Sequence, residues 1–136
     1  MAKNTIIPRG IRNNNPLNIR IGNVWLGEVM FPTDPQFEQF VSMKYGLRAG
    51  FVLLRRYIWH YKRQTIADII SAWAPSNENN TAKYIEVVCG LMNMQPNDKV
   101  DYADKATMCR LVQSMIVVEC GRKLDDALIE SSYDIA

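Results

Sequence analysis

The sequence predicts a mainly α domain of the α+β class with one small β-hairpin. Its 136 residues, 48% of them hydrophobic and 22% charged, have the profile of a globular chain with a single domain, residues 1–136. Beyond residue 42, apolar side chains recur at steps of three and four, the spacing of amphipathic helices. Residues 8–36 are rich in Pro, Gly and Asn, which favour loops and turns. No repeat, low-complexity segment or linker divides the chain.

The hairpin is expected inside this turn-rich segment. Residues 19–21 and 24–26 are apolar or long side chains that flank Gly22 and Asn23. A two-residue loop of this composition is typical of a tight connection between antiparallel strands.

The first long helix is predicted over residues 42–63. An apolar stripe runs along it at helical spacing, and we expect it to be the central helix. Thr65, followed by Asp68, resembles an N-cap with an acidic residue in the first turn. It predicts a short second helix that Pro75 must end.

Three further helical segments follow. Asn79 or Asn80 is expected to cap a helix that ends at Gly90. The clearest helix is predicted over residues 104–120 and closed by Gly121. A short tail is expected to be helical over residues 124–129.

Composition excludes several functional classes. A net charge of +2 is far from the basic balance of a dedicated nucleic-acid binder. A single histidine, and three cysteines without C-x-x-C spacing, argue against metal hydrolysis, a zinc site and a disulfide framework. The longest uncharged apolar run, residues 111–118, is too short to cross a membrane, and no signal peptide is recognisable.

Glu119 is the candidate for acid chemistry. At about 100° per residue it lies only about 20° from Met108 around the 104–120 helix, on the apolar stripe. Burial raises the pKa of a carboxyl group, and the carbonyls of a helix C-terminus raise it further. A carboxyl that is neutral near pH 7 is what the general acid of glycosidic cleavage requires. Alternatively, Glu119 pairs with Arg12 or Arg48, or the helix rotates at its end.

Residues 78–88, E-N-N-T-A-K-Y-I-E-V-V, carry a family resemblance. They resemble the E-T-x-x-Y-V-x-x-V element of soluble lytic transglycosylases, members of the lysozyme-like superfamily that cleave peptidoglycan. The matching positions are Thr81, Tyr84, Ile85 and Val88. Upstream, residues 46–57 resemble the family's G-x-x-Y-L-x-x-L helix, and residues 69–75 stand where the family has its A-x-Y-N-A-G turn.

A segment near the other end of the chain resembles the family's opening helix, which has an A-x-x-x-x-E-S pattern. Residues 111–121 match it, with Cys120 in place of the serine. The resemblance therefore implies a circularly permuted lysozyme-like domain. In that order residues 13–19, N-N-N-P-L-N-I, follow the catalytic helix and resemble the N-N-P-x-N-I start of phage-type and secreted relatives. The family's G-L-M-Q motif is missing from its expected place.

The resemblance implies an enzyme that cleaves peptidoglycan between N-acetylmuramic acid and N-acetylglucosamine. Glu119 is the expected general acid and base, and Tyr84 is expected beside it, although a plain core tyrosine satisfies the same spacing. The expected cleft residues are Asn14, Asn15, Asn18, Trp25, Glu28 and Trp73. Each has a simpler reading, because asparagines favour turns, tryptophans favour the core and loop carboxylates are usually solvated. No metal ion or organic cofactor is implied.

The partners implied are peptidoglycan strands, without nucleic acid and without membrane insertion. Because no signal peptide is recognisable, we expect synthesis in the cytoplasm and delivery to the cell wall by a phage or a secretion apparatus. An immunity or delivery protein is a further partner that this scenario allows. The alternative function keeps the fold without the chemistry: an inactive virion structural or cell-wall-binding protein. The basic face of the 42–63 helix is either solvated or binds an anionic polymer.

Overall fold

The computed structural model describes residues 6–136 and is mainly helical. The helices are α1 (Arg9–Arg12), α2 (Met43–Arg55), α3 (Ile66–Trp73), α4 (Thr81–Met92), α5 (Lys105–Cys120) and α6 (Asp126–Asp134). A π-helical turn, Arg56–His60, extends α2. The prediction of a mainly α chain is confirmed.

Most helix starts lie where the sequence places them. The side chains of five N-cap residues accept hydrogen bonds from backbone amides of the first turn, and these residues are Ser42, Thr65, Asn80, Asp104 and Asp125. Gly121, with a φ of 69°, ends α5 as predicted. The predicted stop at Gly90 is wrong, because α4 continues to Met92 and Asn93 takes the left-handed conformation instead.

The predicted hairpin is not formed. Neither Gly22 nor Asn23 has the positive φ that a two-residue hairpin turn requires. Residues 19–21 and 27–29 pair instead with a third stretch, residues 36–41, through the isolated bridges Arg20 to Phe37 and Glu28 to Phe40. The paired residues of this small β element are therefore further apart in the sequence than those of the predicted two-residue hairpin.

The core is built around α5, which packs against α4 and α6, while α2 packs against α6. The apolar stripe of α5 is fully buried, with 0% exposure at Met108, Leu111, Met115 and Ile116. A smaller cluster lies between the N-terminal loops and α2, formed by Ile19, Trp25, Phe40, Ala49 and Val52.

Residues 13–19 cross between α2 and the end of α5. At Gly46 in α2 a side chain would overlap the carbonyl oxygen of Asn14, so the backbones touch at this point. At the other contact the Cys120 thiol donates to the carbonyl of Pro16 at 3.2 Å. These contacts bring the N-terminal segment beside the last turn of α5, about a hundred residues away in sequence. Over residues 6–136 no helix has the length and apolarity needed to span a bilayer.

Candidate active site

Glu119 lies on the last turn of α5 and is held by two neutral side chains. The Asn18 amide donates to its Oε1 at 2.8 Å, and the Tyr84 hydroxyl donates to its Oε2 at 3.0 Å. Neither predicted arginine pairs with it, since within residues 6–136 no salt bridge includes Glu119. Arg48 donates instead to the carbonyl of Ile135 at 3.2 Å.

Three separate elements supply this arrangement. Asn18 takes a left-handed conformation, with a φ of 53°, which turns the chain at the end of the N-terminal segment. Tyr84 belongs to the first turn of α4, whose start is fixed by the Asn80 cap. Because α4 packs along α5, the buried Tyr84 ring places its hydroxyl at Glu119.

The electrostatics of the site favour a protonated acid. Burial raises the pKa of Glu119, and the hydrogen bonds from Asn18 and Tyr84 offset only part of that increase. The pKa of Tyr84 lies well above its usual value, first because the ring is buried and then because of the charge on Glu119. Tyr84 therefore keeps its proton near neutral pH and acts as a hydrogen-bond donor to Glu119.

Two adjoining cavities meet at Glu119, and we refer to the two together as the cleft. One, of about 360 Å³, is lined by Asn18, Tyr57 and Trp73 among others. The second, of about 260 Å³, is lined by Tyr84, Val118 and neighbouring residues of α4. Both share Asn79 and Glu119 in their walls. The carboxyl group therefore lies at the middle of a groove with space on either side.

A larger cavity of about 710 Å³ lies elsewhere, between α5 and α6, and has Cys109, Gln113 and Glu130 in its walls. It contains none of the predicted site residues. Across residues 6–136 no group of three His, Cys, Asp or Glu side chains is placed to hold a metal ion.

Aromatic rings form one wall of the larger cleft cavity. Trp73, a predicted cleft residue, donates its indole N–H to the carbonyl of Leu17 at 3.1 Å, which fixes the ring. Tyr57 packs edge-on against Trp73, with ring centroids 5.7 Å apart. Sequence reasoning missed Tyr57, because its position on the apolar stripe of the central helix indicated a core residue.

An ion pair lies at the rim of the same cavity. Arg20 and Glu78, both about half exposed, are 3.3 Å apart and join the N-terminal segment to the loop before α4. The Arg20 guanidinium also lies 5.0 Å from the centroid of the Phe37 ring. Nothing in the sequence signals this pair, since two isolated charged residues carry no pattern.

No protein-family model matches this chain. Protein P5 of the bacteriophage Pseudoalteromonas phage PM2 is 39% identical over 117 residues, which are 83% of this chain and 71% of P5. The chain belongs to the P5 family. The P5 name specifies no chemistry, so the activity must be inferred from the site.

Two of the predicted cleft asparagines have structural roles in this P5-family chain. The Asn15 side chain is fully buried, donates to the carbonyls of Ile19 and Glu38, and accepts from the Ile19 amide. The Asn14 amide donates to the Phe40 carbonyl at 3.0 Å. Both hold the bridged loops together, which corrects their assignment as substrate contacts. Of the predicted asparagines, Asn18 alone reaches Glu119.

Trp25 and Glu28 also lie away from the cleft. Trp25 is 6% exposed and packs in the small core cluster, so it is a core residue rather than a sugar contact. Glu28 lines neither cleft cavity and faces Glu38 instead. The prediction that these residues lie in the cleft is therefore wrong: Trp25 is buried in the core, and Glu28 lies where residues 27–29 pair with residues 36–41.

The buried Glu38 has a second carboxyl group, that of the partly buried Glu28, as its neighbour. Burial raises the pKa of Glu38 to about 7, and Glu28 adds to this by accepting a hydrogen bond from the protonated Glu38 and by its negative charge. Unfolding returns that pKa to about 4.3. Because the folded value is the higher one, the pair contributes stability fully below about pH 4 and loses it as the pH rises through 7.

We therefore expect Glu38→Gln to be more stable than wild type by about 3–4 kcal/mol at pH 8 and to show little difference at pH 4. Urea unfolding at both pH values measures this difference. Glu86→Gln, which removes an exposed carboxylate, is the matched control and should leave the pH dependence unchanged. Equal pH dependence in Glu38→Gln and wild type would contradict this carboxyl pair.

Proposed function

We propose that this chain cleaves the glycan strands of peptidoglycan, as a lytic transglycosylase or muramidase, with Glu119 as general acid and base. One observation carries the proposal. A buried carboxyl group with a raised pKa lies at the junction of two cavities and is held by two neutral donors. A strand that passes from one cavity into the other presents a glycosidic oxygen to this group.

In the first step Glu119 donates its proton to the glycosidic oxygen, and the bond from the sugar C1 to that oxygen breaks. Asn18 and Tyr84 then stabilise the carboxylate that remains, since both donate to it. In the second step the carboxylate takes a proton from the hydroxyl that attacks C1. That hydroxyl is the muramyl 6-hydroxyl in a transglycosylase and water in a muramidase. Either route returns Glu119 to its protonated form.

The packing at the end of α5 supports a circularly permuted lysozyme-like fold. In that order the N-N-P-x-N-I segment follows the catalytic helix directly. Here Asn18 from this segment hydrogen-bonds Glu119 across 101 residues of sequence, and Pro16 contacts Cys120. Termini that lie near one another make such a rearrangement inexpensive. We place the activity at the cell wall, after delivery by a phage particle or secretion apparatus, in keeping with the bacteriophage relative.

The proposal is tested by a turbidity assay on purified peptidoglycan. We expect the wild-type protein to clear the suspension. Sedimentation of the protein with the peptidoglycan, without any clearing, would overturn the enzymatic proposal and favour a cell-wall-binding protein.

Tyr84→Phe separates a site tyrosine from a structural one. The substitution keeps the ring and removes one hydrogen bond to the carboxyl group, a contact worth about 1.5–3 kcal/mol when its acceptor is charged. We expect turnover on peptidoglycan to fall about tenfold or more, with a modest change in melting temperature.

Tyr133→Phe is the matched control for this measurement. Its hydroxyl donates to the Tyr102 carbonyl at 2.8 Å and lines neither cleft cavity, so the variant should lose stability without losing turnover. A Tyr84→Phe protein that melts earlier yet cleaves at the normal rate would remove Tyr84 from the site.

A further inference from the structure

The longest segment of the chain that contains basic residues and no acidic ones includes α2 and the residues that follow it. From residue 39 to residue 67 there is no acidic residue, and there are six cations, Lys44, Arg48, Arg55, Arg56, Lys62 and Arg63. Within residues 6–136 none of these six forms a salt bridge. The last two cations, Lys62 and Arg63, belong to the exposed residues 60–63, His-Tyr-Lys-Arg. We refer to these four residues as the basic turn.

The geometry of the basic turn places it against the cleft wall. The π-helical turn ends where the Tyr61 amide donates to the Arg56 carbonyl. Lys62 then takes a left-handed φ of 57°, and the Arg63 amide donates back to the Tyr57 carbonyl at 2.9 Å. The chain therefore folds back on Tyr57. Burial raises the pKa of the Tyr57 hydroxyl, and the nearby charge of Arg63 offsets part of that rise.

Aromatic rings connect the cleft to the basic turn without a break. The Trp73 and Tyr57 centroids are 5.7 Å apart, those of Tyr57 and Tyr61 are 6.5 Å apart, and those of Tyr61 and His60 are 4.7 Å apart. Trp73 and Tyr57 line the cleft, whereas Tyr61 is 60% exposed. Neighbouring rings meet edge-on, at 70–83° to one another, so the series offers separate ring faces and edges to sugar rings from inside the cleft to the exterior.

We propose that the basic turn is a secondary binding surface for the peptidoglycan strand where it leaves the cleft, with Lys62 and Arg63 contacting the carboxylates of its peptide substituents. The inference rests on the proposed function. It adds that the protein recognises the negative charge of the substrate as well as its sugar rings. Continuity with the cleft favours a glycan over nucleic acid, because the aromatic series leads to Glu119 and the net charge of the chain is only +2. Contacts between exposed charges of this kind weaken as salt screens them.

The test is co-sedimentation with purified peptidoglycan, using Glu119→Gln as the parent so that cleavage does not consume the probe. Adding Lys62→Gln and Arg63→Gln to the parent should raise the half-saturating peptidoglycan concentration about fivefold at about 50 mM NaCl and hardly at all at about 500 mM. Adding Lys99→Gln and Lys123→Gln instead, two exposed lysines outside the turn, should leave binding unchanged.

Two further arms identify the ligand chemistry. Peptidoglycan whose carboxyl groups have been converted to neutral amides should bind the parent as weakly as the Lys62 and Arg63 double variant binds untreated material. Equal binding by the double variant and the parent would overturn the inference, as would tighter binding to double-stranded DNA than to peptidoglycan. These outcomes are independent of the proposed function, whose failure appears as an absence of cleavage by wild type.

Discussion

Glu119→Gln is expected to lower the rate of peptidoglycan cleavage at least 10²-fold while leaving the protein folded. Glutamine keeps the shape of the side chain and can accept a hydrogen bond from Asn18 and donate one to Tyr84. It has no acidic proton to transfer to the glycosidic oxygen. The rate of turbidity loss by purified protein measures the effect.

The same variant has a stability signature. Because burial raises the pKa of Glu119, its ionisation opposes folding, and this cost appears as the pH rises through the raised value. The Glu119→Gln protein should therefore melt no lower than wild type at about pH 8. Glu86→Gln, an exposed change of the same charge, should have normal activity. Near-normal cleavage by a folded Glu119→Gln protein would contradict the assignment.

Gly46→Ala is expected to cause the largest loss of stability, about 3 kcal/mol by urea unfolding. The added methyl group overlaps the carbonyl oxygen of Asn14, and a backbone atom cannot rotate aside as a side chain can. The segment that must move also carries Asn18, so cleavage should fall together with stability.

Gly90→Ala is the matched control, since it lies in the α4 helix with open space around it. It should gain up to about 1 kcal/mol, because alanine favours a helix more than glycine does. A Gly46→Ala protein as stable as Gly90→Ala would show that the N-terminal segment does not press against α2.

Local signals in the sequence were sufficient for the starts of α2 to α5, but not for α1, which lies in the segment predicted as loops and turns, or for the end of α4. Caps such as Thr65 and Asp104 act within one turn, so they can be recognised without knowing the rest of the fold. The β element could not be predicted in the same way. Residues 19–21 pair with residues 36–41, and the choice of partner depends on packing against α2.

At the candidate site, too, some residues could be predicted from local sequence signals and others depend on tertiary packing. Helical periodicity was enough to place Glu119 on the buried stripe, because the period depends on α5 alone. Periodicity could not separate Asn18, which reaches the carboxyl group, from Asn14 and Asn15, which hold loops. All three have the same side chain, and only the tertiary path of the segment distinguishes them. Tyr57 was missed for a different reason, because its helical spacing indicated a core residue and only the tertiary structure places it in the cleft wall.

The central claim, that Glu119 breaks the muramyl glycosidic bond, is tested most directly by mass spectrometry of fragments released in heavy-oxygen water. The account predicts new ends at muramic acid C1 with wild type and none with Glu119→Gln. Anhydro ends without heavy oxygen identify a transglycosylase, and reducing ends with one heavy oxygen identify a muramidase. New ends on N-acetylglucosamine, heavy oxygen in peptide carboxyl groups, or equal release by the Glu119→Gln protein would contradict it.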